Sequence, residues 1–321
     1  MRVDVLVLDD VFDLGLSAVL DAFQTANELI GMAKLAVPRF EVRTVGVRKT
    51  VKTSHGFRVP VHAVDTRTPD CVVVPAIGFK MPGPLETALA RPEVRDASAA
   101  LRDWAGRGAM MSAACIGTFV MAESGLLDRQ RATTTWWLAP LFRERYPEVL
   151  LEESHMIVKS GRVVTAGAAL SHMDLALWLI RRRSPQLASL TAKYLIVDSR
   201  PSQSAYALTD HLVHSDPIVQ RFERWARSRL TRGFSLGEAA HVVGSSKRTL
   251  ARRMQDVLGK SPLSYFQGLR VERAVHLLKT TNASVDEVAA RVGYADGVTL
   301  RALLRRQLQT GVKAIRVGAP D

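Results

Sequence analysis

One ten-residue segment is used twice in this chain. Ser235-Leu236-Gly237-Glu238-Ala239-Ala240-His241-Val242-Val243-Gly244 returns 49 residues later as Ser284-Val285-Asp286-Glu287-Val288-Ala289-Ala290-Arg291-Val292-Gly293. A segment repeated with its Ser, Glu, Ala and Gly in register is one physical unit built twice. Ser followed three residues on by Glu predicts a capping box, in which the two side chains satisfy amides left unpaired at a helix start. Ala240 and Ala289 leave room for a second helix to approach, and Gly244 and Gly293 suit the positive φ of a tight turn. Each copy therefore predicts helix, turn, helix.

After the first turn, Ser246 is placed to cap a helix whose Leu250, Met254 and Val257 share an inward face by their i, i+4, i+7 spacing. Arg248 and Arg252 then share another face, with Thr249 and Arg253 beside them and Lys247 at the helix start. Such a face offers base-edge and phosphate contacts together. After the second turn, Asp296 caps a helix with Leu300, Leu304 and Leu308 inward and Thr299, Arg301, Arg305 and Arg306 more exposed. This second helix has fewer side chains suited to reading bases. Between the copies, Ser261-Pro262 opens a helix in which Leu263, Phe266, Leu269, Ala274, Leu277 and Leu278 are positioned to pack against both. An ordinary helical bundle with a solvated basic face requires neither duplicated caps nor paired turn glycines.

The charge supports a polyanionic partner. Of the formal +13, the stretch from Arg221 to Asp321 carries +11, with 19 Lys and Arg against 8 Asp and Glu, and the first 220 residues carry +2. The expected partner is double-stranded DNA. No run reaches the eighteen or so apolar residues of a membrane span, and Met1 to Leu8 lacks the basic segment and cleavage site of a signal peptide, so a cytoplasmic location without membrane contact is expected. The two cysteines, Cys71 and Cys115, give neither a disulfide framework nor metal-site spacing, and no metal or cofactor is expected.

With 321 residues, 47% of them apolar, the chain can fill two cores. Ahead of the basic region, apolar runs at Val3 to Leu8, Val42 to Val47, Cys71 to Pro75 and Ala109 to Ala113 alternate with helical segments. That pattern predicts an α/β domain with a largely parallel sheet covered by helices on both faces. The last run enters Ser112-Ala113-Ala114-Cys115-Ile116-Gly117-Thr118-Phe119, whose small residues permit a sharp turn from strand to helix with Cys115 at the turn. A thiol there sits beside a helix N-terminus, whose amides favour a thiolate or a bound anion; equally, Cys115 is a small residue filling a crowded elbow.

The basic region resembles the DNA-binding domain of the AraC/XylS family. The resemblance starts at Asp216-Pro217-Ile218-Val219 and extends to about Arg316. It is strongest at Gly259-Lys260-Ser261-Pro262-Leu263-Ser264-Tyr265, Arg270-Val271-Glu272-Arg273-Ala274 and Val292-Gly293-Tyr294-Ala295-Asp296. It implies two recognition helices in successive major grooves, the first more discriminating, with Arg248 and Arg252 at base contacts. Leu300 and Leu304 stand where Phe is frequent, Gln309 where Gly is usual, and Gly311-Val312 where Ser-Pro is usual.

Residues 1 to 183 resemble the PfpI and class I glutamine amidotransferase-like superfamily, in the version fused to AraC-type domains. The matching stretches are Cys115-Ile116-Gly117, Ala122-Glu123-Ser124-Gly125-Leu126-Leu127, Arg131-Ala132-Thr133-Thr134, Thr165-Ala166-Gly167 and Asp174-Leu175-Ala176-Leu177. The implied fold is a flavodoxin-like α/β sandwich. Enzymatic relatives pair the elbow Cys with a His and place an acid near the first strand. Here Thr135, followed by Trp136, occupies the position where many regulator relatives keep His, and no Glu precedes Glu28. A hydroxyl is no general base near neutral pH, so no catalytic residue is expected, although His155 and His172 are available to approach in space.

The resulting expectation is a regulator with a sensor and dimerisation domain over 1–185, a linker over 186–215 that includes the breaker-rich Ser199-Arg200-Pro201-Ser202-Gln203-Ser204, and a DNA-binding domain over 216–321. A small-molecule effector is expected at the carboxyl edge of the sheet, lined by Cys115, Ile116, Thr135, Trp136 and Gly78, with Ala76 and Ile77 nearby. A second chain, in a homodimer, and RNA polymerase are the further partners. Two alternatives are a PfpI-like cysteine enzyme with an accessory DNA-binding domain, and a dimer that binds DNA without any ligand.

Overall fold

The computed structural model describes residues 1–198, 202–203, 214, 216–308 and 311–317. The chain divides into two compact units, Met1–Gln203 and Ser204–Asp321.

The first unit runs β1 (Arg2–Leu6), α1 (Asp13–Met32), β2 (Glu41–Gly46), β3 (Val51–Lys52), β4 (Arg58–Val59), β5 (His62–Ala63), β6 (Cys71–Val74), α2 (Pro82–Leu89) and α3 (Pro92–Gly106). It continues with β7 (Met110–Ala114), α4 (Gly117–Ala122), β8 (Arg131–Ala132), α5 (Ala139–Arg145), β9 (Leu150–Leu151), β10 (Ile157–Ser160), β11 (Val163–Ala166), α6 (Ser171–Arg183) and α7 (Pro185–Tyr194). Seven strands form one sheet in the order β10-β11-β7-β6-β1-β2-β5, parallel throughout except for the β10–β11 hairpin. The four apolar runs of the sequence are its four adjacent strands β2, β1, β6 and β7.

Both faces of the sheet are covered. Val3, Val5, Cys71 and Val73 pack with α1, α6 and α7 in one core, while the alternating Val72 and Val74 are equally buried. That is why β6 reads as an unbroken apolar run. One charged pair interrupts the pattern: Asp4, wholly buried in β1, receives Arg43 of β2 through Nε and Nη2, both at 2.8 Å.

The first unit extends past the boundary expected at residue 185. Ser184 accepts a hydrogen bond from the Leu187 amide and caps α7, whose Leu187 and Ala188 are buried in the same core as α1 and α6. Residues 186–194 are therefore a packed helix, not linker. Farther on, Ser202 and Gln203 lie on the unit and bond to the Ser154 carbonyl, the Gln203 amide at 3.1 Å. Residues 199–201, 204–213 and 215 of the expected linker lie outside the described residues.

The second unit consists of α8 (Pro217–Arg227), α9 (Leu236–Val242), α10 (Lys247–Leu258), α11 (Pro262–Thr280), α12 (Val285–Arg291), α13 (Gly297–Leu308) and α14 (Val312–Val317). It has two small cores. Phe222, Leu250, Met254 and Phe266 belong to the first, and Ala274, Val288, Leu300 and Leu304 to the second. Helix α11 serves both, and its 19 residues make a rod of about 28 Å at roughly 1.5 Å per residue. Leu263, expected to pack, is instead exposed in the first turn of α11.

The duplicated caps differ. Ser284 and Glu287 complete the reciprocal capping box of α12. In the first copy Ser235 accepts from the Glu238 amide, but the Glu238 carboxylate turns to Arg229. A charge-assisted bond to guanidinium outcompetes one to a neutral amide, so only half of the expected box forms. Gly244 and Gly293 adopt the expected positive φ, 68° and 83°.

Candidate functional site

The recognition helix α10 is set by its cap and its core. Ser246 accepts from the Thr249 amide at 3.0 Å, and Leu250 and Met254 are fully buried. The remaining face carries Lys247, Arg248 and Arg252 exposed together. Thr249 is half-buried and its hydroxyl accepts from Ser246, so it belongs partly to the cap. Arg253 lies beside Asp216, the N-cap of α8, at 3.5 Å. In α13, Asp296 accepts from the Thr299 amide at 2.7 Å, Leu300 and Leu304 are buried, and Thr299, Arg301 and Arg305 are exposed.

Two features were not legible in the repeat. Lys247 lies over Gly237, its Cε 3.0 Å from where a Cβ would stand, whereas in the second copy Asp286 bonds the Gly297 amide at 2.8 Å. The glycine has changed sides between the copies, so the polar side chain that reaches across comes from the second helix in one pair and from the first in the other. The other feature is Arg270 of α11, which donates to the carbonyls of Leu230 and Arg232 and stacks over Phe266 and Tyr294. It ties the first half of the unit to the turn of the second.

In the first unit, Cys115 occupies the predicted elbow, with φ 56° in the left-handed region. Gly117 permits the turn: a Cβ there would stand 2.2 Å from the Val74 carbonyl oxygen. Such a strained position for a non-glycine residue is held by its surroundings. The Cys115 amide donates to Ala166, and its carbonyl accepts from the Thr134 hydroxyl at 2.8 Å.

The thiol itself is not activated. Cys115, Ile116 and Thr135 are exposed by 3% or less, and burial pushes the Cys115 thiol up to about 12 despite the Ile116 amide, the Thr135 hydroxyl and the Lys80 charge, which favour the thiolate. Of the two readings left open for the elbow, this burial fits a small residue in a crowded turn better than an amide-stabilised thiolate, because desolvation outweighs the amides. At neutral pH, the thiol should resist alkylation in the native protein and react within minutes once the chain is unfolded, as mass spectrometry after iodoacetamide would register. Rapid labelling of native Cys115 would contradict its burial.

Neither histidine stands in for the missing base. His172 is fully buried; its Nε2 accepts from the Ala76 amide at 3.0 Å and Nδ1 donates to the Ala169 carbonyl. Burial lowers it to about 4, which keeps it neutral. His155 is exposed beside Glu152 and Ser154. An acid does stand near the first strand, although it is not a Glu: Asp13, opening α1, accepts from the Ser54 hydroxyl and from His55. Burial raises its pKa, and bonds from Thr53, Ser54 and His55 outweigh that and hold it well below the usual carboxylate range.

The other expected pocket residues are not all brought together. Gly78 packs on Ser54 and donates to the Asp10 carbonyl, on the β1 side of β6, whereas Cys115 follows β7 on the opposite side. Trp136 and Trp137 are half-buried and meet edge to face, with the Trp137 Nε1 donating to the Lys80 carbonyl. Thr118 and Thr135 are fully buried, and their hydroxyls form no regular hydrogen bond. A groove of about 600 Å³ opens elsewhere in the unit, lined by Met156, Asp174, Trp178, Arg181, Lys193 and Asp198 among others. Among the described residues, no group of three or more acidic, His or Cys side chains is arranged to hold a metal, and no helix is long and apolar enough to cross a membrane.

Residues 1–182 match the DJ-1/PfpI family. The chain belongs to the DJ-1/PfpI family. In this member the family domain is followed by a helix-turn-helix domain, matched over residues 239–316. The same combination was read from the residues as PfpI-like and AraC-type. The chain is 26% identical over 296 residues to the HTH-type transcriptional regulator GbdR of Pseudomonas aeruginosa, covering 90% of this chain and 77% of the relative. It is 32% identical over 186 residues to the regulator CdhR of the same species, covering 56% and 54%. Among solved structures, an AraC family transcriptional regulator from Pseudomonas putida shares the fold with a TM-score of 0.50 at 21% identity, over 60% of this chain and 98% of the other. A transcriptional regulator protein from Vibrio parahaemolyticus, described as putative, does so with 0.51 at 22%, over 61% and 98%. The DJ-1/PfpI domain is thus the mostly parallel flavodoxin-like sandwich expected, ahead of a helical region.

Proposed function

We propose that this DJ-1/PfpI family member is a cytoplasmic, homodimeric, sequence-specific transcription regulator that binds double-stranded DNA through α10 and α13 and responds to a small molecule bound by its first unit. The observation that carries the DNA contact is the face of α10, where Lys247, Arg248 and Arg252 stand exposed on a capped helix after a positive-φ glycine turn. Thr249 and Arg253 border that face, and Thr299, Arg301 and Arg305 provide the corresponding contacts from α13. The kinship to named HTH-type regulators spanning both units supports the same function. RNA polymerase is the further partner of such a regulator.

The elbow acts as a binding site and not as a nucleophile, since the thiol is protonated and no described histidine is bonded to it. The Thr118 hydroxyl, which has no partner among the described residues, and the Thr135 hydroxyl, beside the Cys115 thiol, are the polar groups a small ligand would engage, with Cys115 and Ile116 as its floor and Trp136 at its rim. Its occupancy is linked to the DNA-binding unit through Gln203, the last residue of the first unit. The Gln203 amide nitrogen donates to the Thr133 hydroxyl and the Thr134 carbonyl, next to the bond from Thr134 to Cys115.

A screen of small metabolites by thermal shift, repeated on Thr135→Val, tests the sensor. A compound that stabilises the native protein, loses its effect on Thr135→Val and alters DNA affinity is the expected result. If no compound does so while DNA binding is intact, the ligand-independent dimer is the better reading. Turnover of a carbonyl or amide substrate that is abolished in Cys115→Ala would favour the enzyme.

A further inference from the structure

The two recognition helices can be laid over one another by their caps and cores. Ser246 and Asp296 each accept from the amide three residues on, and Leu250 and Met254 occupy the same buried positions as Leu300 and Leu304. In that register, Arg248 corresponds to Val298 and Arg252 to Ala302. All four are exposed, and Val298 is 70% exposed, an unusual place for a large apolar side chain at the start of a polar helix. The arginines of α13 do not replace the missing pair. Arg301 and Arg305 fall at the positions of Ala251 and Gln255, one residue around the helix, and Arg306 is turned to Gln267 at 3.3 Å.

We infer that α13 reads thymine through the C5-methyl groups in the major groove, with Val298 as the principal reader and Ala302 beside it, while α10 reads guanine through Arg248 and Arg252. This inference rests on the DNA contacts proposed above. The chemistry follows from the groove edges: guanine offers two acceptors that suit an arginine fork, and thymine alone offers a methyl group, which an apolar side chain contacts and a guanidinium does not. An arginine in the place of Val298 would leave unmet donors against a methyl. A valine that met no methyl would stay exposed to water in an otherwise polar face. Arg301 and Arg305, displaced to the flank, are placed for phosphates, so α13 keeps its electrostatic hold while its centre is apolar.

The test uses the full chain. Selection from random duplexes defines the bound sequence, and Arg252→Ala identifies the half read by α10 as the one whose preference relaxes. Each thymine in the other half is then replaced by deoxyuridine, which removes only the methyl. At one or two positions the loss should weaken wild-type binding about fourfold, the value of one buried methyl-sized group. Val298→Ala should be insensitive at the main position, and Val298→Arg should select guanine there. Both substitutions are on an exposed position, and unchanged affinity for random DNA confirms that the domain is folded. Thymine-free sites under α13, or equal binding of thymine and deoxyuridine duplexes, would overturn the inference and leave the DNA contacts standing. Failure to select any sequence at all would overturn those contacts too.

Discussion

Replacing Arg252 with alanine is expected to weaken binding at the cognate site by about 1–3 kcal/mol, roughly 5- to 150-fold, and to relax the base preference at one position. Arg252 is exposed on α10 between two buried turns, so its loss removes no packing from the core. Comparison of cognate and random duplexes in a titration separates its roles. A drop confined to the cognate site marks a base contact, and an equal drop on both would make Arg252 a phosphate contact instead. Arg253, at the border of the same face, should behave differently. It sits 3.5 Å from Asp216, so its removal should slightly loosen the start of α8 and weaken cognate and random duplexes alike, without changing the base preference.

Asp4→Ala should lower the stability of the first unit by about 3–5 kcal/mol, the usual loss when one partner of a buried ion pair is removed. The Asp4 side chain is 1% exposed and its Arg43 partner 16%, so the guanidinium left behind would keep only Asp65, at the more solvated rim. A thermal melt monitored by fluorescence should show a transition lower by on the order of 10 °C, given roughly 2–4 °C per kcal/mol for a unit of this size. Adding Arg43→Met to Asp4→Leu should restore much of the loss, because well-packed apolar groups replace such pairs with little penalty. A single substitution that left the melt unchanged would show that the pair contributes nothing net.

Much of the architecture was legible because it rests on periodicity and local turn chemistry. The runs that became β6 and β7 are apolar at nearly every position, as strands covered on both faces must be, and in β1 and β2 the paired Asp4 and Arg43 interrupt the run. The caps and glycine turns of the second unit repeat with few changes. What escaped depended on partners distant in sequence. Glu238 has the spacing of a capping residue, yet Arg229 takes its carboxylate. The hairpin of β10 and β11 is built from two four-residue strands around Gly161, and Lys159, Ser160 and Arg162 break the apolar run that marks β6, a strand of the same length. Helix α7 reads as linker in the sequence because its apolar face is small, and only the α1 and α6 surfaces it covers reveal its place.

At the elbow, spacing located Cys115 but not its protonation. A helix N-terminus is visible in sequence, whereas the desolvation that overrides it comes from layers contributed by several segments. Asp13 is one carboxylate among Asp4, Asp9 and Asp10, and only Ser54 and His55, some forty residues on, set it apart.

The rigid α11 has a consequence for the promoters this protein can use. With Phe266 and Leu269 fixed in one core, Ala274 and Leu278 in the other, and Arg270 bracing the junction, the two reading helices have a single separation and a single phase. One base pair added between their subsites turns the second through about 34°, since B-DNA repeats in about 10.5 base pairs. Such insertions should be corrected only by twisting the duplex, at a cost that grows with each added pair. Natural sites are therefore expected to vary in their bases and hardly at all in their internal spacing, with the freedom to evolve confined to the distance between one copy of the site and the next.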